Sequence, residues 1–373
     1  MLAHESMTSL KQQVETLFEA ETKALAVLRR HAADLRGQMQ RIQPRPVTSV
    51  SLVGTDGGDN KVQFDPLLVN LVRVVDSSSN EYLLEAVTPS TPVKELDARH
   101  RDPQTGAPRT ALGRMMNFLG TDSLRELCPV FAEKEGERSL SWVQEYRGLQ
   151  EWAVLFHLVR EKDFATDTII VRDGPFREKM FKSGLFKRYR EGLAEGLELQ
   201  LRHKNRRLYL AGVLKHSKLF QKYRLALALE RTFQTRYPCF AAVPMEMLRA
   251  AYQWKEWIEN SAANEEFVGG KLFATKFGSG PFDPVWLVDI FETQAQHASR
   301  ILGYLLNDSL NGFPVLHYPA CLQRAHDAAA LIDFDMDQLQ RLIREALRKS
   351  LNDQDDNVGK LEMQEADPSR ERY

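Results

Sequence analysis

Two apolar segments of this 373-residue chain each end in an aspartate that is followed at once by glycine. They are Ser51-Leu-Val-Gly-Thr-Asp56-Gly-Gly and Ile169-Ile-Val-Arg-Asp173-Gly-Pro. Such runs predict buried strands, and glycine allows the backbone to turn sharply after the carboxylate. Because like charges at one edge of a sheet repel each other, a pair of carboxylates there needs a compensating charge, which a divalent cation usually supplies. The two segments therefore predict a paired-carboxylate metal site at one edge of a sheet.

The composition is that of a soluble globular protein, with 43% hydrophobic and 27% charged residues. No apolar run approaches the length that spans a bilayer, and residues 1–9 lack the pattern of a signal peptide. The three cysteines are Cys128, Cys239 and Cys321, and they form no CxxC pair. We therefore expect a cytoplasmic protein without a disulfide framework or a zinc site.

Positive charge is concentrated in one stretch of a chain whose net charge is −1. Residues 172–224 contain 15 Lys or Arg and 5 Asp or Glu. Such a run is usually a solvated helix face, but this one begins beside Asp173, which favours contact with a phosphate backbone. The candidate DNA-binding residues in it are Arg177, Lys179, Lys182, Lys187, Arg188 and Lys218.

An amphipathic helix is predicted over residues 5–42, ended by Gln43-Pro-Arg-Pro46. Its apolar positions alternate steps of three and four, as in the seam of a coiled coil, and are Leu25, Leu28, Ala32, Leu35, Met39 and Ile42. We predict that residues 1–45 serve a dimer or partner contact. The alternative is that the helix folds back onto its own sheet.

The remaining pattern predicts an α/β fold with an RNase H-like mixed sheet flanked by helices, a long N-terminal helix and a helical insertion. A three-strand meander whose first strand carries an Asp is followed by helix, strand, helix and strand. The predicted strands are 49–55, 67–76, 81–87, 168–172, 207–214 and 285–291, and the main helices are 140–160, 184–203, 217–233 and 293–308. The predicted units are a main domain over 46–335 with an insertion at about 97–140, a helix over 336–351 and a disordered acidic tail over 352–373.

Five short motifs, in order, resemble the NurA nuclease family of prokaryotic DNA-end-processing enzymes. They are Gly-Thr-Asp56-Gly, Arg147-Gly-Leu-Gln-Glu151-Trp-Ala, Asp173-Gly-Pro, Gly212-Val-Leu-Lys215-His-Ser217-Lys, and Gly312-Phe-Pro with Leu322-Gln-Arg-Ala325-His326-Asp-Ala-Ala. They extend from about residue 50 to 332. The insertion near 97–140 and the Leu316-His-Tyr-Pro segment depart from the family pattern.

The resemblance implies a metal-dependent deoxyribonuclease that cleaves phosphodiester bonds by a two-metal mechanism. Asp56, Glu151, Asp173 and His326 would hold Mn²⁺ or Mg²⁺, and Lys215 and His326 would assist catalysis. Each residue has a simpler interpretation as well: a turn-forming Asp, a solvated Glu, a strand-end Lys, a helix-surface His. Glu145 is the rival third acid, and Asp327 is the alternative to His326.

The same resemblance implies a homodimer that acts with a HerA-type hexameric ATPase in DNA repair or antiviral defence. The chain has no P-loop, so energy for moving DNA would come from a partner. It also lacks GxSxG, GxGxxG and HExxH motifs. The rival functions are a non-catalytic DNA-binding or clamp subunit and an RNase H-like ribonuclease.

Overall fold

The computed structural model describes residues 4–46, 50–64, 67–133, 141–182, 184–251, 267–331 and 333–351. The predicted acidic tail over 352–373 and part of the predicted insertion lie outside these residues. Nine strands in the described part form one sheet in the order β1-β7-β8-β9-β6-β5-β2-β3-β4. They are β1 (Gln40–Arg41), β2 (Val50–Phe64), β3 (Leu67–Asp76), β4 (Glu81–Val87), β5 (Asp167–Asp173), β6 (Leu208–Leu214), β7 (Cys239–Ala242), β8 (Gly270–Lys276) and β9 (Val285–Phe291).

The centre of the sheet has the predicted RNase H-like arrangement. Strands β2, β3 and β4 form an antiparallel meander, β5 runs parallel to β2, and β6 runs parallel to β5. Strand β9 pairs antiparallel with β6 and carries β8, β7 and β1 beyond it. The prediction of a mixed sheet flanked by helices is confirmed, although β7 and β8 were not predicted.

Helices cover both faces of this sheet. They are α1 (His4–Gly37), α2 (Val93–His100), α3 (Ala111–Leu119), α4 (Leu124–Leu127), α5 (Trp142–Arg160), α6 (Leu185–Lys204), α7 (Lys218–Leu229), α8 (Met245–Ala251), α9 (Ala298–Ser309), α10 (Ala320–Ala329) and α11 (Asp333–Leu351). Among them, no helix has both the length and the apolar character that crossing a bilayer would require.

Alternation along the strands divides the core between the two faces. Ile170 packs with α5 and α6, whereas its neighbours Ile169 and Val171 pack with α9 and α10 on the opposite face. Helices α1, α7 and α8 pack over β7, β8 and β9 in a third cluster. The central strands are therefore covered on both sides, and only their ends can present polar groups to solvent.

Strand β2 does not end at Asp56, as the Asp-Gly pair predicted. It continues to Phe64, and Asp56 pairs with Val75 within an antiparallel ladder that reaches Phe64–Leu67. The prediction of a turn is wrong here because β3 supplies hydrogen-bond partners to the extended chain. At the second Asp-Gly pair the turn is present, since β5 ends at Asp173 and Gly174 has φ of 105°.

Helix α1 ends at Gly37 rather than at residue 42, because residues 40–41 pair with β7 as strand β1. The last turns of α1 fold back onto the chain's own domain. Ala32, Leu35 and Ile42 are fully buried, and His31 Nδ1 lies 2.8 Å from the Tyr223 hydroxyl of α7. This part of the seam is therefore core, which corrects the prediction that it contacts a partner.

Replacing Leu35 with alanine tests this burial. Because the side chain is fully enclosed, we expect the free energy of unfolding to fall by about 2–5 kcal/mol. The matched control is Leu201→Ala on α6, where the side chain is 45% exposed, with an expected change within about 0.5 kcal/mol. Chemical denaturation of both variants is the measurement, and equal small effects would mean that the seam is not core.

Candidate active site

The candidate site lies where the parallel strands β2, β5 and β6 reach the same edge of the sheet. In the register of β2 with β5, Thr55 pairs with Arg172, so the next position along both strands places Asp56 beside Asp173. Neighbouring strands are about 4.8 Å apart, which makes the two backbones adjacent at this point. The side chain of Asp56 itself lies outside the described part of the structure.

Glu151 reaches this edge from helix α5. Its carboxylate occupies the place where a side chain at Gly57 would begin, since a Cβ there would overlap Glu151 Oε1. Gly57 is therefore required for close approach and not for a turn. Glu151 is 17% exposed, and its oxygens lie 3.3 Å from Arg147 Nε and 3.9 Å from an Arg172 terminal nitrogen.

Asp173 is paired with Lys215 at the ends of neighbouring strands. Lys215 follows β6, and its Nζ lies 2.7 Å from Asp173 Oδ2, with both side chains partly exposed. Lys215 is thus an ion-paired lysine facing the candidate site.

Arg172, directly before Asp173, is nearly buried and stacks on the Trp152 ring, with its guanidinium carbon 3.8 Å from the ring centroid. Arg172 also donates to the Pro175 carbonyl, which holds the turn after Asp173. One cation therefore lies beside Glu151 while it fixes the loop that follows Asp173.

Helix α10 packs onto β2 at two glycines that flank Asp56. A Cβ at Gly54 would overlap the Cys321 carbonyl, and a Cβ at Gly58 would lie 2.7 Å from the Ala329 carbonyl oxygen. His326 lies on α10 between these contacts. It lines a cavity of about 390 Å³ together with Lys215, His216 and Trp286. The predicted residues Lys215 and His326 thus share one cavity, and Asp327 lines it too.

The loop after Asp173 is anchored by a buried ion pair that sequence reasoning missed. Asp289 of β9 is fully buried, accepts from the Phe176 backbone N–H at 2.9 Å and lies 3.4 Å from Arg177 Nε. Burial raises the pKa of Asp289, while Arg177 opposes the rise. The available signal was a single acid in an otherwise apolar strand, Val-Trp-Leu-Val-Asp289-Ile-Phe.

Arg177 is therefore not available to DNA, which corrects its prediction as a phosphate contact. A buried guanidinium that pairs with Asp289 and donates to the Gly270 carbonyl at 3.1 Å has a structural role. Arg190, in the same basic stretch, is also buried and pairs with Glu292 at 2.7 Å. Part of the local positive charge is thus internal.

The other candidate DNA contacts are divided between two helices and a loop. Lys187 and Arg188 are exposed near the start of α6, and Arg188 also donates to the Leu119 carbonyl. Lys218 is exposed at the start of α7. Lys179 and Lys182 are half-buried in the loop before α6. Since α6 packs on α5 and α7 packs on α1, these cations do not form one helix face.

Glu145, the rival third acid, lies away from the sheet edge. It lines a separate cavity with Glu178 and Lys179 and accepts from the Cys128 thiol at 3.2 Å. Glu145 and Glu151 therefore have different surroundings, and only Glu151 is seen in contact with β2 and Arg172. Among the side chains that the structure describes, no three of His, Cys, Asp and Glu are close enough to hold a metal ion, and this set does not include Asp56.

Comparison with known proteins gives similarity to solved NurA structures. The NurA nuclease from Sulfolobus solfataricus is 11% identical, with 94% of this chain and 98% of that chain covered and a TM-score of 0.43. NurA bound to dAMP and manganese is 12% identical, with 89% and 96% covered and a TM-score of 0.36. NurA with manganese is 13% identical, with 90% and 98% covered and a TM-score of 0.36. No protein-family model and no curated protein matches this chain.

Proposed function

We propose that this protein is a metal-dependent deoxyribonuclease that hydrolyses phosphodiester bonds. The observation that carries the proposal is that the backbones of Asp56 and Asp173 lie side by side, with Lys215 paired to Asp173 and Glu151 packed against Gly57. Acids and a cation where β5 and β6 end beside β2 suit the binding of a phosphate between metal and lysine. DNA is chosen over RNA on the sequence motifs, since the same chemistry cleaves both.

Asp56, Glu151, Asp173 and His326 would hold the metal. The donor set fits, because carboxylate oxygens suit Mg²⁺ and Mn²⁺, and imidazole is a further ligand for transition metals. The Gly57 position supports the fit, since the missing side chain leaves room for the Glu151 carboxylate beside β2. When bound, divalent ions lower the pKa of water and stabilise the leaving oxygen.

The cations around the acids have defined roles in this proposal. Arg147 and Arg172 compensate the charge of Glu151 and fix its orientation. Lys215 would exchange its contact with Asp173 for a contact with a phosphate oxygen, where its ammonium would offset the charge that develops during hydrolysis. His326, across the shared cavity, would contact the phosphate or a metal ion.

Neutralising the acids tests the site. We expect Asp56→Asn, Glu151→Gln and Asp173→Asn each to lower the rate of DNA cleavage by about 10²-fold or more, because each loses a charged oxygen ligand. Glu145→Gln is the matched control, since Glu145 lines a different cavity, and it should cleave at nearly the wild-type rate. Cleavage of labelled linear DNA with saturating Mn²⁺ is the measurement. Near wild-type activity in any of the three site variants would remove that residue from the site.

Exposed lysines of the basic stretch would contact the phosphate backbone of the bound DNA. Reversing the charge of Lys187 or Lys218 should weaken duplex binding and lower the slope of log K against log salt by about 0.9 for each phosphate that is no longer neutralised. Lys11→Glu, on the exposed part of α1, is the control and should leave the slope unchanged. Titrations at several salt concentrations without divalent metal give the slopes. Slopes equal to wild type would exclude both lysines from the interface.

A partner contact remains a proposal for the first half of α1. Four of its exposed apolar side chains recur in steps of three and four, namely Met7, Leu10, Val14 and Leu17, and Phe18 is exposed beside them. A contiguous apolar stripe in water is typical of an interface. We assign it to a second copy of this chain or to a HerA-type ATPase, consistent with the absence of a P-loop from the sequence.

Introducing a charge into this stripe tests the partner contact. Leu17→Glu should abolish dimer formation or co-elution with the ATPase, because a carboxylate would be desolvated at the contact. Leu84→Glu on β4 is the matched control, with a similarly exposed leucine outside α1. Sedimentation and size-exclusion chromatography report both assemblies. If the dimer and the ATPase complex both persist in Leu17→Glu, the stripe serves neither.

A further inference from the structure

The loop between β8 and β9 presents Phe282 to solvent. This residue is 84% exposed and follows Gly278-Ser-Gly-Pro281, a motif that the proposed catalysis does not use. Single exposed apolar residues are common on protein surfaces, so exposure alone has no functional meaning. Phe282 differs from such residues because its loop is held by hydrogen bonds and lies beside a cavity.

The loop is held in place by hydrogen bonds. Asp283 accepts from the Gly280 N–H at 2.6 Å, and the ammonium of Lys276 donates to the carbonyls of Gly280 at 2.8 Å and Thr235 at 2.5 Å. Lys276 is fully buried, and burial lowers its pKa. The side chain of Phe282 therefore projects from a loop fixed at both its base and its turn.

Phe282 lines a cavity that also includes Lys215 of the candidate site. The cavity has a volume of about 720 Å³, and its lining includes Lys215, His216 and Arg224. Lys215 also contacts Asp173 at 2.7 Å, so this lysine belongs both to the cavity lining and to the candidate site. Two cations, Lys215 and Arg224, line the cavity together with mostly apolar residues, and Phe282 is the exposed aromatic residue of the lining.

A second exposed phenylalanine lies on the other side of Lys215. Phe313 is 80% exposed, and the next two residues, Pro314 and Val315, line the 390 Å³ cavity that also contains Lys215 and His216. The two loops are in contact, because His317 Nε2 lies 3.5 Å from Asp283 Oδ2. The two cavities thus share Lys215 and His216 in their linings, with one exposed phenylalanine beside each.

We propose that Phe282 and Phe313 stack on unpaired bases of a single DNA strand whose phosphates contact Lys215 and Arg224. This inference rests on the proposed function and adds to it the form of the substrate, a strand already separated from its complement. Grooves that combine cations with stacking aromatics bind single strands without sequence preference. The two cations favour a DNA strand over a protein partner, because Lys215 and Arg224 line the cavity and can pair with successive phosphates.

Binding of a single-stranded oligonucleotide, measured with EDTA present so that no cleavage occurs, tests the proposal. Loss of stacking in Phe282→Ala or Phe282→Leu should weaken binding about 5- to 100-fold, whereas Phe282→Trp should bind as wild type. The fluorescence of the introduced tryptophan should be quenched on binding. An oligonucleotide of the same length without bases should bind the wild type and Phe282→Ala equally. Leu84→Ala is the matched control and should not change affinity.

Several outcomes would overturn the proposal. Wild-type affinity in Phe282→Leu would show that an apolar side chain suffices, which points to a protein partner instead. An equal loss on the oligonucleotide without bases would show that stacking is not involved. Failure of the wild type to bind single strands would refute it directly. The proposed hydrolysis is tested separately. If the wild type shows no metal-dependent cleavage but still binds single strands through Phe282, the proposed hydrolysis fails and the binding proposal stands.

Discussion

The parallel pairing of β2, β5 and β6 is the constraint on which the candidate site depends. Strands β5 and β6 end beside the middle of β2, so one register brings the backbones of Asp56 and Asp173 side by side, with the residue after β6, Lys215, next to them. The helices then complete the arrangement, since α5 delivers Glu151 from one face and α10 delivers His326 from the other. If this register shifted by one residue, the acids would point to opposite faces of the sheet.

Electrostatic compensation explains why the acids are stable at this edge. Each described carboxylate already has a positive neighbour: Arg147 and Arg172 beside Glu151, and Lys215 beside Asp173. The charges are therefore balanced before any substrate or metal arrives. A phosphate that entered the site would meet cations as well as acids. This arrangement is expected where the same cations pair first with carboxylates and then with a phosphate.

Much of the fold could be predicted from the sequence, and the errors have a common physical origin. The strands and the mixed sheet followed from local patterns of apolar residues, as did the turn at Asp173-Gly174. Asp56-Gly57 has the same local sequence but remains extended, because β3 pairs with it and Glu151 uses the space. The burial of Arg177 by Asp289 likewise depends on residues that are distant along the chain. Strand β7 escaped prediction because four residues, 239–242, carry little periodicity.

Gly54 and Gly58 have a consequence for how such a site could arise. The carbonyl groups of α10 approach β2 at these two residues. The short distance between helix and strand is possible only because glycine has no Cβ there. Acquiring the carboxylates at positions 56 and 173 would not by itself reproduce the arrangement. A chain with alanine at position 54 would hold the helix farther away, and His326 would move with it. The small residues on either side of Asp56 thus limit the order in which the site could be assembled during evolution.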